Sequence, residues 1–250
     1  MAEEGQYIYC VIGTGEARNF GPMGIGDRGD PVTTISYRDL SAVVSSVPMT
    51  KYVVSKETML AHEKVIETVM KDDTVLPVRF YTIAPTAEEV RSLLRKRYPE
   101  FKKMLRELDN KVELGLKVIW RDMNAVFEGI MEESPDIKAV RAKVLAHSAG
   151  EAGQDKATLS EIVKLALEDK KAKERETLLR PLRRLSSDFC LNRTYGDDMI
   201  MNAAFLVDRI REREFDSRVE QLTSERGDTL EFKYVGPAPP YSFVNIVVTE

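Results

Sequence analysis

Cysteine and histidine are scarce in this 250-residue chain, with two of each. Cys10 and Cys190 stand far apart, each inside a strand-like apolar run, which is not the close, multiple spacing of a disulfide scaffold or a zinc site. They read as reduced, buried thiols. There is no Gly-x-Ser-x-Gly elbow, no phosphate loop closing on Gly-Lys-Ser/Thr, and no cluster of ligand types at metal spacing. No catalytic, cofactor-binding or metal residues are therefore expected. The charge has no dominant sign either: 37 basic residues against 41 acidic ones leave −4, without the basic excess of a nucleic-acid binder. No apolar run approaches the ~18 residues of a membrane span, and Ala2-Glu3-Glu4-Gly5-Gln6 lacks the basic and apolar regions of a signal peptide. A cytoplasmic protein with no membrane or nucleic-acid partner is expected.

What is present is enough apolar residue for a core, 43% against 31% charged, at a length that allows one large domain or two modest ones. Lys111 to Trp120 decides between them. Val112, Leu114, Leu116 and Val118 alternate with Glu113, Gly115, Lys117 and Ile119, the period of a strand with one buried face. Helical spacing precedes and follows this strand, so it opens a second half. We expect an α+β protein of two domains, residues 1–109 and 110–250.

In the first half, Tyr7–Ile12 reads as a strand. The Gly13-Thr14-Gly15 that follows lacks the third glycine and the helix of a nucleotide fingerprint, and reads as a plain loop. Val32–Tyr37 and Ala42–Val47 form a hairpin turning at Arg38-Asp39. Ser55 caps a helix with Met59, His62, Ile66, Val69 and Met70 on one face. His62-Glu63 has the start of a metalloprotease helix, but Ile66 stands where the second histidine belongs, so His62 reads as a hydrogen-bonded core residue. Val75–Ile83 reads as one strand, placed at an edge or strand start by Pro77, which cannot donate to a ladder. Arg79 within it could meet a carboxylate of its own domain or of a partner, and an internal salt bridge is the expected choice. Thr86-Ala87-Glu88-Glu89 is a capping box opening a helical stretch that kinks near Pro99.

In the second half, helices are expected over Asp122–Met131, from Ser134-Pro135 onward, and over roughly Leu159–Leu185, with a flexible break at Ser148–Gly153. The dense mixed charge of Glu168–Glu176 reads as a solvated helix face. Strands at Phe189–Arg193 and Met199–Val207, a helix over Arg211–Glu225 and a strand at Leu230–Val235 complete the order β-α-β-β-α-β. That is a modified ferredoxin-like unit whose first crossover carries a long helical insertion, about residues 121–185. The tail, residues 236–250, is too rich in proline for a central strand and is expected to lie extended across a groove.

Several stretches in sequence order resemble the gas vesicle protein F/L family. They are Tyr7–Ile12, Asp39–Ser45, His62–Glu67, Val75–Phe80, Lys111–Gly115 and Gly236–Val244, and they span almost the whole chain. The resemblance implies two α+β domains, the second a modified ferredoxin-like fold with extended helices. It also implies a non-enzymatic accessory protein acting in gas vesicle assembly, with the hydrophobic shell protein and other accessory proteins as partners. No cofactor follows from it.

A shell subunit with a gas-facing apolar surface is an aggregation hazard before it is incorporated. The expected role is to bind that subunit, by adding a strand to an exposed edge or by accepting an amphipathic helix in a groove. Pro77, Val78 and Phe80 are the candidate edge. Two other classes stay open: a regulatory module binding a small ligand between ferredoxin-like units, and an enzyme built on His62, Arg79 or the Asp197-Asp198 turn.

Overall fold

The computed structural model describes residues 4–26, 28–49, 55–146 and 153–246. The expected break at Ser148–Gly153 falls almost wholly outside them, as do the last four residues of the tail. The elements, in order, are β1 (Glu4–Ile12), β2 (Asn19–Gly21), β3 (Val32–Tyr37), β4 (Leu40–Pro48), α1 (Lys56–Met70), β5 (Val75–Pro77), β6 (Ile83–Ala84), α2 (Ala87–Lys96) and α3 (Tyr98–Glu107). There follow β7 (Lys111–Trp120), α4 (Met123–Glu133), α5 (Pro135–Ala146), α6 (Gly153–Arg183), β8 (Asp188–Leu191), β9 (Met199–Asp208), a single 3-10 turn, α7 (Glu212–Arg226) and β10 (Leu230–Ala238). The protein mixes helix and sheet throughout, in two compact units. One comprises residues 1–114 with 236–250, the other residues 115–235. The tail thus belongs to the first unit.

The first unit is organised on β1. Its sheet runs β2-β3-β4-β1-β5, with β6 also pairing to β1. From Tyr7 to Ile12 every residue of β1 is buried, because the strand is central and both faces are covered. A bulge lets it serve both: Ile8 pairs with Val44 and Cys10 with Val43, leaving Tyr9 as the extra residue. The phase of the strand shifts there. Tyr7, Tyr9, Cys10 and Ile12 therefore join one core with Val65, Ile66 and Val69 of α1.

Helix α1 starts where Ser55 and Thr58 close a reciprocal capping box. The helical stretch at Pro99 is two helices rather than one kinked rod. Helix α2 ends at Arg97, and α3 begins with proline in its first turn, where a missing N–H costs nothing.

The second sheet has the strand order β10-β7-β9-β8. Along β7, Val112, Leu114, Leu116, Val118 and Trp120 are all buried, as the alternation predicts. Helix α6 is mostly solvated in its charged stretch, with one exception. Lys171 is buried, its ammonium 3.4 Å from Glu168 and 3.5 Å from the Gly196 carbonyl, so it tethers the β8–β9 turn. Strand β10 continues through Gly236-Pro237-Ala238, farther than the sequence suggested; it lies at the sheet edge, where a proline is tolerated.

Candidate functional site at the β5 edge

One stretch of the first unit departs from the sequence reading. Val75–Ile83 is not one strand: β5 stops at Pro77 and β6 resumes at Ile83, both antiparallel to β1. The Val78 N–H donates to the Tyr9 carbonyl and the Ile8 N–H to the Thr82 carbonyl, each at 2.9 Å. Two residues of β1 thus face five of the edge, and Arg79-Phe80-Tyr81 loop out. Tyr81 turns the chain with φ of 68°.

Side chains from other elements hold this loop. The Tyr7 hydroxyl accepts the Tyr81 N–H at 3.0 Å and lies 3.0 Å from His62 Nδ1. The His62 ring also bonds the Val78 backbone, and burial lowers its pKa to about 4. Burial pushes the Tyr7 phenol up. Phe80 meets the same group edge-on, with ring centroids 5.6 Å from His62 and 6.4 Å from Tyr7. His62 is therefore a core residue with both sides of its ring engaged, as its apolar position implied.

Beside this loop opens a cleft of about 460 Å³, lined by Met59, His62 and Glu63 of α1, Pro77–Phe80, and Tyr241, Ser242, Val244 and Asn245 of the tail. All belong to the first unit. Pro77 is buried and Val78 is 2% exposed, while Phe80 is only partly covered. Strand β5 does form the sheet edge, but the edge is not free: Val78 pairs with Ile246 in a parallel bridge. The tail is held there at two further places. Ser242 donates its N–H and its hydroxyl to the two oxygens of Glu113, each at 2.7 Å, and Arg79 donates to Asn245 Oδ1 at 3.0 Å. Arg79 is exposed and meets an amide in place of the expected carboxylate. Glu113 is raised by burial despite its bonds to Ser242.

At the mouth of the cleft Met59 is 45% exposed and Tyr241 38%, and Tyr81 in the neighbouring loop is also 38% exposed. Such a grouping of large apolar side chains around a buried floor suits a protein partner. Nothing in the sequence announced the tail residues or Glu113 as part of it, since no local pattern encodes a contact between positions 113 and 242. The Asp197-Asp198 turn lies in the second unit, where Asp197 approaches Lys171 at 4.0 Å. Among the described residues no three His, Cys, Asp or Glu are grouped to hold a metal ion, and no helix is long and apolar enough to cross a membrane.

Comparison with known proteins gives this architecture its family. The model of the family described as gas vesicle synthesis protein GvpL/GvpF matches residues 5–245. The chain belongs to the GvpL/GvpF family. Gas vesicle protein F of Streptomyces sp. (strain CB03234) is 29% identical over 221 residues, covering 88% of this chain and 91% of the relative. Gas vesicle protein L of the same strain is 29% identical over 267 residues, covering 96% and 93%. The crystal structure of GvpF from Anabaena sp. PCC7120 superposes with a TM-score of 0.86 at 22% identity, over 98% of this chain and 100% of that one. GvpF from Microcystis aeruginosa gives 0.77 at 25% identity, over 97% and 99%. Membership in the GvpL/GvpF family makes this chain an accessory protein of gas vesicles, and the two-sheet fold is the one its solved relatives share.

Proposed function

We propose that this GvpL/GvpF protein acts in gas vesicle assembly by binding the hydrophobic shell protein at the cleft beside β5, with other accessory proteins as further partners and the gas vesicle as its place of action. In this reading the two compact units are two domains. The second, with its first strand between its last and third, is a ferredoxin-like unit enlarged by α4, α5 and α6. The observation that carries the proposal is the cleft itself: exposed Met59 and Tyr241 stand over a floor of buried Pro77 and Val78, next to the sheet edge. An apolar shell segment laid there is removed from water before it can meet another copy of itself.

Charged replacements at Val78 are a poor test, because that side chain is buried and the change would break the core. Met59 is exposed on α1, so Met59→Glu leaves the fold within about 0.5 kcal/mol. The test is to co-express the tagged chain with the shell protein and measure how much shell protein becomes soluble and co-purifies. The wild type is expected to capture it, and Met59→Glu to capture at least about tenfold less at an unchanged melting temperature, the equivalent of about 1.4 kcal/mol. An unaffected Met59→Glu variant would move the site elsewhere. A shell protein that stays insoluble beside well-folded wild type would remove it as the partner.

A further inference from the structure

The segment that closes the β5 edge is itself laid down like a bound peptide. After β10 the chain turns through Pro239–Phe243 and returns extended, so that Ile246 pairs in parallel with Val78. The contacts of this run define what the edge accepts. Val244 and Ile246 are buried, Asn245 between them offers its oxygen to the Arg79 guanidinium, and Ser242 is fixed by both oxygens of Glu113. That is apolar, acceptor, apolar at the spacing of an extended chain.

The fit is incomplete at one point. Arg79 is a planar cation meeting a neutral amide, where a carboxylate could take two parallel charge-assisted bonds. An acid in the place of Asn245 matches this edge better than the chain's own residue does.

We infer that Ser242–Ile246 is a displaceable resident of the β5 edge, and that the partner replaces it with an extended segment of pattern apolar, acidic, apolar running parallel to β5. The inference rests on the reading of the cleft as the shell-protein site, and it makes that site an exchange. A tethered resident competes at an effective concentration on the order of millimolar, so only a segment with the better match to Arg79 displaces it.

Two variants, both carrying Cys190→Ser to remove the background thiol, test the exchange. Neighbouring strands lie about 4.8 Å apart, inside the Cα range for a disulfide, so Val78→Cys with Ile246→Cys locks the tail on oxidation with glutathione. Ser242→Ala with Asn245→Ala loosens it at two exposed positions. The locked protein is expected to capture at least tenfold less co-expressed shell protein than wild type, with recovery on reduction, and the loosened protein severalfold more when shell protein is limiting. Equal capture by locked and wild-type protein, or no gain on loosening, overturns the exchange and leaves the cleft reading standing. If thiol titration shows that the lock does not close, the loosened variant decides alone. If wild type captures nothing, the cleft reading has failed on its own. The edge is then probed with a labelled Ser-Phe-Val-Asp-Ile-Val peptide on the loosened protein, where binding at least threefold tighter than that of the Asn version sustains the exchange and equal or absent binding ends it.

Discussion

A histidine inside an apolar core is tolerated only while it is neutral, and His62 shows what that implies. Its pKa falls from the usual 6.5 to about 4, chiefly through burial. Between those values the unfolded chain takes up a proton that the folded chain refuses, so acidification favours unfolding. The stability tied to His62 is complete above pH of about 6.5. It falls by up to about 1.4 kcal/mol per unit on the way down to about 4, and then levels off. Urea unfolding across that window should show a steeper fall on acidification in wild type than in a His62→Gln variant; parallel curves would mean that the ring is solvated. The cysteines make the same point about surroundings. Cys10 is fully buried and its thiol is pushed up by burial first and by Asp73 second, whereas Cys190 on β8 is partly exposed. An aromatic disulfide reagent should consume one thiol promptly and the other only in denaturant. Two prompt thiols would contradict the burial of β1.

Among the elements, those specified by their own residues were legible in the sequence and those specified by distant partners were not. Val112, Leu114, Leu116 and Val118 announce β7 because an alternating strand with one buried face is a local pattern, and the Ser55 cap announces α1 in the same way. The loop at Arg79–Tyr81 has no such mark. A tyrosine at positive φ is held by the Tyr7 hydroxyl, which is itself bonded to His62, so two other elements fix it and Val75–Ile83 reads as an unbroken strand until the fold is known. Strand β2 is too short to show a period. For the candidate site, Pro77 correctly marked a sheet edge, but that the chain's own tail closes that edge was invisible. Substitutions at the two glycines beside the start of the tail measure this tertiary control. At Gly115 an added Cβ comes close to Val235 Cγ2, at 2.9 Å, the tip of a largely exposed side chain that can move. At Gly236 it meets Leu114 Cδ2 at 2.8 Å and the Glu113 carbonyl at 2.9 Å, with φ at 132°. Gly236→Ala should cost more than about 1 kcal/mol and Gly115→Ala less, read as midpoint shifts in urea. A reversed order would mean that the start of the tail is not seated against β7.

Over the whole molecule, chain order and spatial order disagree, and that has a consequence for stability. The second unit is one continuous stretch, residues 115–235, while the first draws on both ends of the chain. A chain ending at Pro239 loses Val244 and Ile246, both buried in the first unit, and leaves Glu113 half-buried without Ser242. Burying a valine or isoleucine contributes about 1.5–3 kcal/mol, so the loss is roughly 3–6 kcal/mol. Against the 5–15 kcal/mol of a typical domain this is enough to make the first unit open frequently. Hydrogen exchange of the shortened chain should therefore show faster exchange across β1, β4 and β5, with β8 and β9 protected as before. The bared β5 edge should also promote association between copies, since an uncovered strand is a template for pairing. Unchanged protection in β1 and β5 would show that the tail is a passenger on the first unit. Loss of protection in β8 and β9 as well would show that the two units unfold as one. Graded loss confined to the first unit is the pattern expected of a tail that completes a core and closes an edge at the same time. The same contacts that stabilise the unit then set how easily a partner gains the edge.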